Sequence, residues 1–422
     1  MNRRIHAWDN EGKIERYYNY FWLYLVVVCG ASFISLYAFI QAGWVDFHTK
    51  TGWILALVSG SLLITTVNQV VIPGLNLLGH RGWYIGLFLA TLLASLAAAT
   101  TLVVFQAPTA ANWVSGILTG QLILGAVGWR IFFRKTHSEP TAAKPTTAQA
   151  KTLLAFAWPI SIAVGLGWTQ TQSYRFMMES SLGLHALGIF AAGYGISMAI
   201  ISGFETIFTT YLQPIFYKKI SNSELSVQVA AWQDYAETIF PSLLLVGFFI
   251  WSITPELTRL ILAVEYRSSQ EYIGWAIIAE LARVATAVFG MAAHARMKTK
   301  FLLVPNLVGA LAFLILLYFL MPLYGSHGVG ASLALASIAS CLASYVATRM
   351  LFSFRFPRKG LFKSALFGVV LIPLSGMLRQ EANAPSDMLY TVIQLCLVGA
   401  VFLVFQYQLL LPLLKNRQPV RG

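Results

Sequence analysis

Three sets of ionisable and polar side chains interrupt stretches that are otherwise apolar. Trp168, Gln172, Arg175 and Glu179 recur at spacings of four, three and four, so they share one helix face. An arginine on such a face can draw an anionic head group, because guanidinium offers phosphate two parallel donors. It can equally reach out to the membrane surface or pair with Glu179. Ser202, Glu205, Thr209 and Gln213 form a second stripe, whose carboxylate can take a proton or Na⁺ or salt-bridge to a neighbouring helix. Glu280 and Arg283, three apart, can pair on one helix. The candidate substrate-binding residues are therefore Arg175, Gln172, Trp168 and Arg283, and the candidate ion-coupling residues are Glu205 and Glu280. A weaker stripe, Ser61, Thr65 and Asn68 with Asn76 beyond the Pro73-Gly74 pair, fits helix–helix hydrogen bonding as well as substrate contact. The cysteines Cys29, Cys341 and Cys396 have neither pairing nor metal-ligand spacing and read as small apolar side chains. No catalytic constellation, metal site or cofactor is indicated.

The elements that must carry these residues are membrane helices. Of 422 residues, 57% are hydrophobic and 11% charged, against about 25% charged in ordinary soluble domains. That leaves too little polar surface for a soluble enzyme, and the chain is too apolar to be disordered. Lys+Arg exceed Asp+Glu by 29 to 16. The excess lies in short loops between apolar runs, where it orients a membrane protein rather than binding nucleic acid.

Twelve runs are long enough to span a bilayer: 20–42, 53–75, 83–105, 112–133, 153–182, 186–214, 237–255, 272–293, 301–322, 326–348, 362–378 and 389–411. Their length predicts helices, since a barrel would alternate over about ten residues. Alternate loops hold Arg3, Arg4, Lys13, Arg130, Arg134, Lys218, Lys219, Lys298, Arg355 and Lys415, whereas the opposite set holds only Lys50, Arg175, Arg259, Arg267 and Arg379. By the positive-inside rule both termini are cytoplasmic. The predicted fold is all-α, with two bundles around a central cavity. Residues 1–19 form a cytoplasmic segment and 20–133 a first lobe of four helices. Residues 134–151, rich in Thr, Ala, Pro and charge, read as a linker. A second lobe of six helices covers 152–350, and two further helices with a cytoplasmic tail cover 351–422. Segments 221–236 and 256–266 are expected to be short helices on the membrane surface. No outer loop is long enough for a catalytic domain, and no Walker-type glycine loop is present. A polymerase, a ligase and an ATP-driven pump are disfavoured.

From about 151 to 350 the chain resembles the polysaccharide-flippase branch of the multidrug/oligosaccharidyl-lipid/polysaccharide exporter superfamily, the Wzx-type translocases. LLAFAWPISIAVGLGWTQTQSYRF resembles the seventh family helix, with Tyr174 in place of the usual Asp before Arg175. SLGLHALGIFAAGYGIS resembles the following loop and helix start, and Pro214 sits where that helix carries a proline. ELTRLILAVEYRSS resembles an external segment, ARMKTK a basic cytoplasmic turn, and MPLYGSHGVGASLALASI the next loop with Pro322, Gly325, Gly328 and Gly330 at family spacing. Residues 3–25 resemble the start of the third family helix, so the first two family helices are expected to be missing.

The resemblance implies a non-enzymatic flippase in the bacterial inner membrane. It would move an undecaprenyl-pyrophosphate-linked oligosaccharide outward by alternating access of two lobes. It also implies H⁺ or Na⁺ coupling, with Arg175 neutralising pyrophosphate and Glu205 the first coupling candidate. Polymerase and glycosyltransferases are expected partners. The alternatives are a multidrug exporter of the same superfamily, against which the four-plus-eight asymmetry argues, and a non-transporting subunit of a polysaccharide-synthesis complex.

Overall fold

Every regular element among the described residues is helical. The computed structural model describes residues 14–43, 51–135, 147–220, 223–380 and 388–415. The N-terminal residues 1–13, Asp46 and Lys50, the middle of the expected linker and the tail from 416 lie outside them. The chain divides into two compact units, Met1–Ala150 and Lys151–Gly422.

The first unit contains α1 (Ile14–Gln41), α2 (Thr51–Leu77), α3 (Arg81–Phe105) and α4 (Ala110–Lys135). Helices α3 and α4 meet through small residues. A side chain at Gly116 or Gly120 would run into the backbone of Ala99 or Ser95, so these glycines set how closely the helices approach. The Ser61/Thr65/Asn68 stripe works here as helix–helix bonding. Thr65 Oγ1 donates to Gln121 Oε1 at 2.9 Å, and Asn68 Nδ2 donates to the Gln121 carbonyl at 2.9 Å. Pro73-Gly74 does not end its helix. α2 runs on to Leu77, and the bare Cα of Gly74 makes room for the buried Phe132 ring.

The second unit contains α5 (Thr147–Gln172), α6 (Tyr174–Ile220), α7 (Leu225–Ile261), α8 (Gln270–Ala295), α9 (Leu303–Leu351), α10 (Arg358–Gln380) and α11 (Met388–Lys415). Two of these fold back on themselves. The Tyr174 and Phe190 rings lie 5.2 Å apart, although sixteen residues of straight helix would separate them by about 24 Å. The reversal is at Gly183, whose φ of 84° and ψ of 166° suit only glycine. Likewise Ser340 Oγ reaches the Pro305 carbonyl at 2.9 Å because α9 reverses at Gly325, with φ 55° and ψ −132°.

Ten helical stretches are long and apolar enough to cross a membrane. Two of them, 63 and 53 residues long, contain these reversals and are each long enough for two crossings of about 20 residues. The fold is therefore that of an all-α polytopic membrane protein, with twelve crossings among the described residues.

The expected surface helices differ. Residues 225–236 are the first turns of the 37-residue α7, which also runs through 256–261. Trp232 is buried, with its Nε1 donating to the Val288 carbonyl at 3.1 Å and its ring 4.5 Å from that of Phe354. Of the stripe Leu225, Val229 and Trp232, Trp232 is covered by α8 and by the segment after α9, while Leu225 stays exposed. The last two helices, α10 and α11, pack on α7. The Gly368 backbone lies against the Phe248 ring so closely that a Cβ would not fit.

Candidate functional site

Inside the second unit, three side chains drawn from two helices share one charge network. Arg283 on α8 donates from Nε to Glu280 Oε2 at 2.7 Å, one turn away on the same helix. Its Nη2 donates to Glu205 Oε2 at 2.8 Å, across to the second arm of α6. The Tyr194 hydroxyl, also on α6, donates to the other oxygen of Glu280 at 2.7 Å. Two carboxylates thus flank one guanidinium, leaving the cluster one formal negative charge when all three groups are ionised. Charge-assisted bonds of this kind offset part of the cost of holding ions away from water.

The burial of the three groups is graded. The Glu280 side chain is 2% exposed, Glu205 23% and Arg283 32%. Glu205 and Arg283 open into a cavity of about 500 Å³, and Glu280 stands behind them. The cavity is walled by α5, α6, α7, α8 and α9 and is mostly apolar, with polar groups at intervals. On its α5 side, Gln170 Nε2 donates to Ser337 Oγ at 3.0 Å in a buried contact. Gly309 leaves the space that the Gln170 amide fills. Ser340 and Ser344 bond to the carbonyls of Pro305 and Thr286 at 2.9 and 3.3 Å, and Thr348 bonds to that of Phe289 at 3.0 Å. These hydroxyls hold α9 against its own first arm and against α8.

The structure thus brings Glu205, Glu280 and Arg283 together. It places Trp168, Gln172 and Arg175 elsewhere, and none of those three lines the cavity. The turn at Ser173 does not break the face, since its N–H still bonds to the Thr169 carbonyl. Trp168, Arg175 and Glu179 are all exposed, on the side away from Ala163, Gln170, Tyr174 and Met178, which are buried. The stripe therefore stays together but is turned away from the cavity. The α5 face that meets the cavity is Ala163, Gly167, Gln170 and Thr171. Trp168 is exposed with its ring 6.3 Å from Phe176, and Gln172 is half-buried. Arg175 is exposed, 5.8 Å from the Tyr174 ring centre, and among the described residues no carboxylate pairs with it.

Two residues around the network escape the polar-stripe reading. Tyr194 carries no charge, and only its contact with Glu280 marks it. Tyr174, standing where the resembling family has an acid, is 1% exposed and packs on Phe190 and Tyr194. It fills the apolar core behind the network. The Ser337, Ser340, Ser344, Thr348 series, at spacings of three, four and four, is a stripe of the same kind as the other two and was legible by the same rule.

No protein-family model matches the chain, and no curated protein matches its sequence. Its fold is similar to those of solved structures. It resembles "Lipid II flippase MurJ, inward closed conformation" with a TM-score of 0.58 at 14% identity, over 96% of this chain and 85% of that one. It also resembles a point mutant of the Vibrio cholerae MATE transporter VcmN, with a TM-score of 0.64 at 15% identity, over 83% of this chain and 81% of that one. At such identities the likeness is one of fold.

Proposed function

We propose that the protein is a cation-coupled membrane transporter. In this reading it moves an undecaprenyl-pyrophosphate-linked oligosaccharide across the bacterial inner membrane for surface-polysaccharide synthesis. The observation that carries the reading is a carboxylate at the mouth of an in-membrane cavity, bridged by an arginine to a second, buried carboxylate. Ionisable groups at this depth are costly and mark ion or substrate paths. A fold shared with a lipid II flippase supports a lipid-linked cargo, and the sequence resemblance supports a polysaccharide precursor.

The geometry suits coupling. A cation entering the cavity meets Glu205 before Glu280, because only Glu205 is open to it. Taking up H⁺ or Na⁺ there neutralises one of the two carboxylates and loosens the α6 end of the bridge. Arg283 stays anchored to Glu280 on its own helix. The contact between α6 and α8 then has a bound and a released form, which alternating access requires. Because its Nε and Nη2 are committed to carboxylates, Arg283 serves this network and not a phosphate. Arg175, with no acidic partner among the described residues, remains the candidate for the pyrophosphate, with Trp168 and Gln172 beside it.

The test is restoration of surface glycan in a flippase-deficient bacterium by Glu205→Gln and Arg175→Ala variants at normal membrane abundance. Loss of export in both supports the assignments, and full restoration by both removes them. The MATE likeness supports a second reading, drug export. Drug resistance on expression, with no effect on surface glycan, would favour it. Co-purification with a polymerase, with no translocation of lipid-linked sugar in vesicles, would point instead to a non-transporting subunit.

A further inference from the structure

The segment joining α9 to α10, residues 352–357, lies between two membrane crossings and therefore at the membrane–water boundary. Its first residue, Phe352, is extended, and extended chain sends successive side chains to opposite sides. Phe352 and Phe354 are buried, while Ser353 and Arg355 face out. Phe354 lies 4.5 Å from the Trp232 ring, and Phe356 stacks on Phe240 at 5.9 Å. The Gln233 side chain grips the backbone of Arg355 on both sides. Its Nε2 donates to the Arg355 carbonyl at 2.7 Å, and its Oε1 accepts from the Arg355 N–H at 3.1 Å. A backbone pinned in this way aims the Arg355 side chain at a fixed place.

That place is cationic. A cavity of about 800 Å³ is lined by Arg349, Arg355 and Arg358, together with apolar groups that include Tyr345, Phe356 and Leu342, and no acid contributes to its lining. The Arg349 guanidinium is held 4.6 Å over the Phe354 ring and 5.4 Å over the Tyr345 ring, with its Nε donating to the Tyr345 hydroxyl at 3.1 Å. An adjoining hollow of about 430 Å³ adds Lys359 and one carboxylate, Glu237, whose Oε1 accepts from Gln233 at 2.7 Å. Among the described residues no carboxylate forms an ion pair with Arg349, Arg355, Arg358 or Lys359. Cations gathered at a membrane boundary, one of them held over aromatic rings and none with an acidic counter-ion among the described residues, leave their charge for a ligand. Arginine forks match a phosphodiester, and basic pockets between membrane helices take anionic head groups.

We propose that this pocket binds an anionic phospholipid, its phosphodiester between Arg349, Arg355 and Arg358 and its acyl chains along Leu342, Tyr345 and Phe356. The site is separate from the Glu205–Arg283–Glu280 network and does not depend on the transport reading. The experiment is native mass spectrometry of the full chain in detergent, with phosphatidylglycerol or phosphatidylcholine added at equal concentration. The wild type should carry phosphatidylglycerol at least about fivefold more than phosphatidylcholine. Arg355→Gln with Arg358→Gln should bring that ratio near one, and Arg355→Lys with Arg358→Lys should retain part of it. Lys298→Gln with Lys300→Gln, which removes charge outside the pocket, should leave the ratio unchanged. Should the glutamine pair fail to fold, Arg358→Gln alone, at an exposed residue, must still at least halve the preference.

Equal occupancy by the two lipids in the wild type, or an undiminished preference in the glutamine variants, would overturn the proposal. So would a preference that Lys298→Gln with Lys300→Gln removes equally. Displacement of phosphatidylglycerol by millimolar inorganic phosphate would reassign the pocket as a general anion site. Displacement by undecaprenyl phosphate would reassign it to the substrate carrier.

Discussion

Arg283 is the residue on which the second unit's polar interior turns, because among the described residues it alone pairs with two carboxylates. Replacing it with Met leaves Glu205 and Glu280 facing each other without a cation. Breaking a fully buried pair costs about 3–5 kcal/mol. With the Arg283 side chain 32% exposed, we expect about 2–3 kcal/mol, read as a lower melting temperature in detergent. Adding Glu280→Gln to Arg283→Met should recover part of that loss. Glu205→Gln should behave differently. It keeps an oxygen for Arg283 and leaves Arg283 and Glu280 balanced, so stability should stay near wild type while cation-dependent transport is lost. A Glu205→Gln protein as unstable as Arg283→Met would make the carboxylate a structural group. Tyr194→Phe strips Glu280 Oε1 of its phenolic donor, and an unsatisfied buried acceptor costs about 1–3 kcal/mol. That loss should appear in the melting temperature without change in cation dependence.

At the scale of elements, the decisive features are faces rather than helices. Hydropathy marks the spans well, but it cannot show which face of α5 meets the cavity, and the face that does carries Gln170, with Trp168 and Arg175 on the exposed side. The same limit applies to Trp232. Its spacing with Leu225 and Val229 predicts an amphipathic surface helix, and only the arrival of Phe354 and Phe289 buries it. Packing between the arms of α9 and α5 depends on Gly309, where an added methyl would meet the Gln170 amide and the Ser340 Cβ. Gly309→Ala should therefore destabilise by about 1–3 kcal/mol, as overpacking does. Gly309→Ala with Gln170→Ala should be closer to wild type than the sum of the two single variants. Strict additivity in the melting temperatures would show that the two positions do not press on each other.

At the scale of the whole molecule, the expected orientation follows from where the cations lie. The loop after α9 and the first turn of α10 carry Arg355, Arg358 and Lys359, and the short helical turn Val264–Ser269 lies at the opposite ends of the crossings. With Cys29, Cys341 and Cys396 replaced, a single Ser353→Cys should react with a membrane-impermeant thiol reagent only after the cells are opened. A single Ser268→Cys should react in intact cells. The reverse pattern would invert the topology that the positive-inside rule gives. Both residues are exposed, so failure to label would reflect sidedness and not burial.

Composition and run length determined, without any structure, that the chain is a helical membrane protein and where its crossings lie. Those properties depend on the cost of exposing polar backbone to lipid, which each segment meets by itself. The stripe rule also picked out Glu205, Glu280 and Arg283, because an ion in an apolar run is visible one helix at a time. Tertiary structure alone decided that these three form one network with Tyr194, that α5 turns Gln170 inward rather than Trp168, and that Tyr174 fills the core behind them. Pairing across helices depends on which faces meet. The breaks at Gly183 and Gly325 fall between the runs the sequence marks, but how the arms on either side pack, and the close approaches glycine permits, leave no periodic mark in the sequence.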